Sequence, residues 1–218
     1  MAPLFAALDD DAASALMESM TTSHLERGEI LFSEGDQGDR LYVITEGKIK
    51  LGLTSVDGRE NLLAILGPGE MFGELSLFDP GPRTATATAV AQTQLIALGH
   101  ADLHTFLLDR PAVAANLLAA LARRLRRANG TLSDLVFTDV PGRVAKALLD
   151  LSLRFGRPSE DGILVAHGLT QEELAHLVGA SRETVNKALA DFTTRGWIKL
   201  EARAVVLTDA ERLRRRAR

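Results

Sequence analysis

The sequence predicts an α+β chain made of two unlike halves joined by one long helix. Three observations carry this. Residues 28 to 99 are short aliphatic or β-branched runs broken by glycine turns, a hairpin texture. Residues 111 to 139 carry a three-four leucine repeat with charges between. From Val140 onward the spacing of apolar residues becomes helical. The divisions expected are therefore 1–110, 111–139 and 140–218.

At the start, Leu4, Phe5, Leu8, Ala12, Leu16 and Met17 suggest short helical packing with Asp9 as an N-cap. Met1 to Met20 contains Asp9, Asp10 and Asp11 and lacks the basic, apolar, small-residue order of a secretory signal, so a cytoplasmic location is expected. Next come runs such as Ile30-Leu31-Phe32 and Leu41-Tyr42-Val43-Ile44. Gly35, Gly38, Gly47, Asp57-Gly58 and Gly67-Pro68-Gly69 punctuate them. They predict a compact antiparallel barrel or jelly-roll-like sheet, a β-roll.

One stretch of this half differs, Phe72 to Thr86. Gly73 and the Pro80-Gly81-Pro82 turn allow backbone to approach a ligand closely. Arg83 offers a planar fork of donors to a phosphate, Thr84 adds a hydroxyl, and Glu74 can accept from sugar hydroxyls. A small phosphorylated sugar fits that set. The plain alternative is a glycine-rich turn in which Glu74 and Arg83 form a structural ion pair.

Pro111 sits where a first-turn proline is tolerated, and Val140, Pro141 and Gly142 supply a stop after Asp139. Between them Leu118, Leu121, Leu125, Ala128, Leu132 and Leu135 form the seam of a two-stranded coiled coil, which implies a partner helix. The reverse face carries Arg123, Arg124, Arg126 and Arg127, too many charges for a membrane span.

Beyond the long helix, Val144, Ala147, Leu148 and Leu151 share one face of a helix that Gly156 and Pro158 end. Residues 169 to 189 give two short helices around a tight turn. Thr170 and Glu173 make a capping-box pattern, Gly179 supplies the turn, and Ser181 caps the second helix with Thr184 one turn later. That second helix exposes Arg182, Glu183, Asn186 and Lys187 and turns Val185 and Leu189 inward. Arginine can grip guanine and glutamate can accept from cytosine, so the face suits a major groove. A helical hairpin with a solvated charged face is the plain alternative. Trp197-Ile198-Lys199-Leu200 and Val205-Val206-Leu207 read as a small hairpin, which makes the domain a winged helix-turn-helix. The closing run Arg212, Arg214, Arg215, Arg216 and Arg218 reads as a solvated helix end, with phosphate contact or a disordered tail as alternatives.

Charge divides along the same line. The chain carries −4 overall, but residues 1–138 hold 11 basic against 18 acidic groups, whereas residues 139–218 hold 14 against 11. Only the second part is positive, which suits contact with a polyanion. The absence of cysteine removes disulfides, thiolate nucleophiles and cysteine-ligated metal clusters. His100 and His104, with Asp102 nearby, are spaced to share a helix face, but such pairs are more often polar surface, and no metal is expected. No nucleophile–base pair stands out and no region remains for a catalytic domain, so an enzyme or its regulatory subunit is the weaker reading.

The stretch around Glu74 and Arg83 resembles the phosphate-binding cassette of cyclic-nucleotide-binding domains. Cassette, seam helix and winged helix-turn-helix in this order resemble the cyclic AMP receptor protein/FNR family of bacterial transcription regulators. The likeness is nearest to its actinobacterial cyclic AMP receptor proteins. Gly-Asp-Arg-Leu-Tyr at 38–42, Asp-Gly-Arg-Glu-Asn at 57–61, Phe-Thr-Asp-Val-Pro-Gly-Arg at 137–143 and Gly-Ala-Ser-Arg-Glu-Thr-Val-Asn-Lys-Ala-Leu at 179–189 carry it.

The resemblance implies an N-terminal β-roll cyclic-nucleotide-binding domain, a long dimerisation helix, and a C-terminal winged helix-turn-helix DNA-binding domain. It makes cyclic AMP the allosteric ligand of a homodimer. Glu74 is then matched to the ribose 2′-hydroxyl and Arg83 to the cyclic phosphate, with Gly73, Leu75, Ser76 and Thr84 completing the cradle. Arg124, Ala128 and Asn129 face the ligand from the long helix. Ala128 stands where many relatives place a threonine that reads the adenine amino group, so adenine selectivity falls on Asn129 across the dimer, a water or a backbone group. A same-fold regulator that answers another ligand, or none, stays open. Arg182, Glu183 and Lys187 become base readers and Thr170, Ser181 and Thr184 backbone contacts on a palindrome with TGTGA-like half-sites. Lys187 replaces the arginine of enterobacterial relatives. RNA polymerase is the implied protein partner.

Overall fold

The computed structural model describes residues 20–54, 60–79, 81–99, 107 and 111–217. The readings made on residues 4–17, on Asp57-Gly58, on Pro80 and on His100, Asp102 and His104 lie outside them. The chain divides into two compact units, one within residues 1–54 and 64–127 and the other within 55–63 and 128–218.

Among the described residues up to Gly99, eight strands form two four-stranded sheets. They are β1 (Thr21–Leu25), β2 (Ile30–Phe32), β3 (Arg40–Glu46), β4 (Ile49–Thr54), β5 (Glu60–Leu66), β6 (Met71–Phe72), β7 (Thr86–Ala89) and β8 (Thr93–Gly99). One sheet has the order β1-β8-β3-β6 and the other β2-β7-β4-β5. The pleat explains the composition. In β7 Ala87 and Ala89 are buried while Thr86 and Thr88 are half-buried, and in β8 Thr93, Leu95 and Ala97 point into the core. Ala87, Ala89 and Leu95 meet Leu25, Ile44, Ile49, Leu51, Leu66 and Phe72 in one apolar cluster. The jelly-roll-like expectation holds, with one strand more than was read. β1 precedes Gly28, and its Thr-Thr-Ser-His-Leu sequence buries only Leu25. Pairing with β8 from Thr21↔Ala97 to Leu25↔Thr93, rather than an apolar pattern, makes it a strand.

The short helix α1 (Leu75–Phe78) lies in the cassette. The long helix α2 spans Pro111–Phe137 and starts on its proline as read. It stops two residues short of Asp139, because the Asp139 carboxylate caps the next helix, α3 (Val140–Phe155), accepting from the Gly142 N–H at 3.0 Å. Pro141 therefore opens a helix as well as following one. No helix among the described residues is long and apolar enough to cross a membrane.

In the second unit α3 buries Val144, Ala145, Leu148 and Leu151 and packs against α5 (Arg182–Thr194), which packs in turn against α4 (Gln171–Leu177). The expected small hairpin is half of a larger sheet. Strands β9 (Gly156–Ser159), β10 (Gly162–Val165), β11 (Ile198–Glu201) and β12 (Ala204–Leu207) pair in the order β11-β12-β10-β9. Gly156 and Pro158 were read as a helix stop only. Pro158 also sits in edge strand β9 opposite Ile163, a position where a missing N–H is tolerated. Arg212, Arg214, Arg215 and Arg216 lie on helix α6 (Ala210–Arg216), anchored by the fully buried Leu213, while Arg218 lies outside the described residues.

Candidate functional site

The cassette is built round two buried ions that do not pair with each other. Arg83 is 4% exposed and Glu74 1%. Burying either charge costs several kcal/mol, on the order of what a whole salt bridge returns, unless each finds partners. Arg83 finds backbone: Nη1 donates to the Gly73 carbonyl at 2.8 Å and Nη2 to that of Arg40 at 2.9 Å. Its guanidinium lies 4.3 Å from the Phe32 ring centroid and 5.7 Å from that of Tyr42, two members of an aromatic cluster with Phe72. Glu74 finds the long helix, accepting from Arg124 Nη1 at 2.7 Å. The structural Glu74–Arg83 ion pair is thus replaced by two separate arrangements.

Both arrangements are incomplete. Glu74 Oε2 and Arg83 Nε are buried and have no hydrogen-bond partner among the described residues. An orphaned carboxylate oxygen is satisfied by a hydroxyl donor, and an orphaned guanidinium N–H by an anionic oxygen. A ribose cyclic phosphate carries both groups, so the residues fit that ligand class.

The backbone makes the fork possible. Gly73 adopts φ +77°, and a Cβ there would stand 2.7 Å from Arg83 Nη1. At Gly38 a Cβ would collide with the Ser76 side chain and come within 3.0 Å of Arg83 Nε. The turn at 35–38 is clipped to the cassette, Gly35 N donating to Arg83 O at 2.9 Å and Arg83 N to Asp36 O at 2.8 Å. Gly38, Arg40, Phe32 and Tyr42 therefore belong to the cradle although they were not read as site residues. Gly-Asp-Arg-Leu-Tyr at 38–42 was the signal that marks three of them.

The structure brings Gly73, Glu74, Ser76, Arg83 and Arg124 together. Ser76 is buried, whereas Leu75 and Thr84 are exposed. Along α2 Leu118, Leu125 and Leu132, seven residues apart, are 66%, 63% and 62% exposed, and Ala128 and Asn129 are also exposed.

In the second unit the helix-turn-helix is capped as its sequence indicates. Thr170 Oγ1 accepts from Glu173 N at 3.1 Å while Glu173 Oε2 accepts from Thr170 N at 2.8 Å. Ser181 accepts from Thr184 N at 3.3 Å, and the two hydroxyls lie 2.9 Å apart. Gly179 takes φ +62° in the turn, where a Cβ would stand 2.6 Å from Leu135 Cδ2. On α5 Arg182, Glu183, Thr184 and Lys187 are exposed. Lys187 Nζ holds Glu183 Oε1 at 2.7 Å, an i,i+4 pair, while Arg182 makes no ion pair among the described residues.

A further cluster joins the α2–α3 junction to that turn. Arg143 donates to three carbonyls, Thr138 at 2.8 Å, Val178 at 2.8 Å and Gly179 at 3.1 Å. Lys146 pairs with Asp134, and Arg216 of α6 holds Asp139 at 2.6 Å. The Arg216 hydrogen bond, opposed by burial and assisted by the Gly142 N–H, keeps the Asp139 carboxyl below the ordinary carboxylate range. Thr138, Asp139 and Arg143 sit in Phe-Thr-Asp-Val-Pro-Gly-Arg at 137–143, whose side-chain partners the sequence alone left unread.

Comparison with known proteins agrees with this geometry. The cyclic nucleotide-binding domain family matches residues 22–110 and the Crp-like helix-turn-helix domain family residues 142–216. The CRP-like cAMP-activated global transcriptional regulator of Mycobacterium tuberculosis is 54% identical over 217 residues, covering 100% of this chain and 97% of that protein. The cyclic AMP receptor protein of Thermus thermophilus is 39% identical over 95% of this chain and 93% of its own. Among solved structures, the c-di-GMP responsive global regulator CLP of Xanthomonas campestris superposes with a TM-score of 0.79 at 25% identity, covering 91% of this chain and 99% of that one. The chain belongs to the cyclic AMP receptor protein/FNR family of bacterial transcription regulators.

Proposed function

We propose that the protein is a cytoplasmic homodimeric transcription regulator that binds a DNA palindrome under allosteric control of cyclic AMP. The observation that carries the ligand is the pair of orphaned buried atoms, Glu74 Oε2 and Arg83 Nε, beside the Gly73 turn. In this reading Gly73, Glu74, Leu75, Ser76, Arg83 and Thr84 cradle the ribose phosphate within 1–110. Arg124, Ala128 and Asn129 meet the nucleotide from the seam helix, 111–139. The exposed heptad leucines support a second copy as partner. Within 140–218, Arg182, Glu183 and Lys187 read bases in TGTGA-like half-sites, and Thr170, Ser181 and Thr184 meet the phosphates. RNA polymerase is the protein partner.

The ligand touches the same helix that forms the seam, so binding can change the register at the seam or the hinge at Phe137 to Asp139 and re-space the recognition helices. Coupling of this kind is typically worth about 1–3 kcal/mol. Ala128 favours a second reading, because alanine offers adenine no hydrogen bond: another cyclic nucleotide acts on the same cassette, or DNA binding needs none.

Fluorescence anisotropy of a labelled TGTGA palindrome, titrated with protein with and without cyclic AMP at one fixed salt concentration, tests this. Tightening of at least about fivefold with cyclic AMP is expected. Equally tight binding in both conditions would leave the DNA reader standing and move the cassette to another ligand.

A further inference from the structure

The function proposed above leaves most arginines of α6 without a role. Arg212, Arg214 and Arg215 are exposed and Arg216 is half-buried. Their ion pairs are loose. Glu211 serves both Arg214 and Arg215 at 3.5 Å, and Asp209 lies 4.0 Å from Arg212. Exposed pairs at such distances contribute little, so a phosphate oxygen can take the place of the carboxylate.

Contacts within the second unit set this helix beside the N-terminal end of α5. Leu213 anchors α6, which packs on α3. Arg216 holds Asp139 at 2.6 Å and lies over the first turn of α3, where a Cβ on Gly142 would stand 3.4 Å from its Nη1. Arg143, one turn along α3, reaches the carbonyls of Val178 and Gly179, and Ser181, two residues further on, caps α5. Two side chains therefore span from the end of α6 to the start of the recognition helix. The major groove that receives such a helix is about 12 Å wide and bordered by phosphates on both sides. A cationic face set beside the helix start meets that border rather than base edges.

Helix geometry names the face. With 3.6 residues per turn, Arg212 stands about 40° from Arg216, and Arg215 about 60° beyond Arg212. Arg214 lies about 160° from Arg212, on the far side. We infer that Arg212 and Arg215 form an accessory surface for the phosphate backbone of the DNA and add affinity that does not depend on sequence. The inference rests on the DNA-binding function proposed above and deepens it.

The test is the salt dependence of binding by the full chain at saturating cyclic AMP. Anisotropy is read on a labelled TGTGA palindrome and on a random duplex of equal length. R212Q/R215Q should bind both duplexes about tenfold or more weakly at low salt. The slope of log affinity against log salt should shrink by about one for each arginine lost, about four in a homodimer, with the preference for the palindrome unchanged. R212K/R215K should restore the slope, because lysine keeps the charge, and R214Q should leave it at the parent value. An unchanged slope in R212Q/R215Q, no rescue by lysine, or an equal fall in R214Q would overturn the inference, leaving α6 as a packing helix or a surface for an acidic protein. A parent chain that binds palindrome and random duplex alike would sink the sequence-specific function instead, while the slopes would still judge α6.

Discussion

The cassette and the recognition helix use the same residue types in opposite ways. In the cassette Glu74 and Arg83 are buried, held by Arg124 and by two carbonyls, and their free valences are fixed in direction before any ligand arrives. On α5 Glu183 and Lys187 are 78% and 74% exposed and bind only each other. The difference follows from the ligands. A small anion must repay the desolvation of every group it meets, so its site is preorganised and nearly dry. A DNA groove is long, hydrated and charged, and exposed side chains reach it by exchanging one ionic partner for another. Under the proposed function, burial marks the small-molecule site and exposure the polyanion site.

The largest break in this comparison should come from Arg83→Ala. It removes a buried cation from between the Gly73 and Arg40 carbonyls and leaves both unpaired. Cyclic-nucleotide affinity, read by calorimetry, should fall by about 2–5 kcal/mol. The seam dimer, read by sedimentation, should persist. Unchanged affinity would remove the cassette assignment.

Arg182→Ala at the exposed site should cost less, about 1–3 kcal/mol on a cognate palindrome, and should relax the preference for guanine. If random DNA weakened equally, Arg182 would be a phosphate contact only. Smaller again is Arg143→Lys. A lysine is a point charge that cannot reach three carbonyls on two elements at once, so the second unit should lose about 1–2 kcal/mol of stability in denaturant titration. Equal midpoints would show that the clamp between Thr138 and the Val178–Gly179 turn contributes nothing.

The smallest effect concerns pH. Asp139 has its folded pKa depressed by Arg216, so its contribution is present above the ordinary carboxylate value near 3.9 and is lost as pH falls through the lower folded value. The group is largely exposed and its effect modest. In R216Q the Asp139 carboxyl signal in an NMR titration should move up toward that ordinary value. A titration identical to the parent would mean that the Arg216 contact does not form in solution.

Much of this protein is determined by local chemistry and is legible in the chain alone. Turn glycines bounded the strands of the β-roll, and the three-four leucine repeat marked α2. Thr170, Glu173, Gly179 and Ser181 specify a capped helix-turn-helix through contacts only three to five residues long. The residue types at Glu74, Arg83 and Arg182 suggested a ligand cradle and a reading face, and their roles came from the resemblance. What the chain alone did not show are features made by distant partners. β1 is a strand because β8 pairs with it, and β9 because β10 does, although neither has an apolar pattern of its own. Glu74 takes Arg124 rather than Arg83 because folding brings α2 to the cassette and turns Arg83 onto two carbonyls and an aromatic ring. Asp139 ends one helix, starts another and meets Arg216 from the far end of the chain. Periodicity and turn chemistry are written in neighbouring residues. The partner of a buried charge is decided only when the whole chain has closed around it, since each ion takes the donors or acceptors that packing leaves within reach.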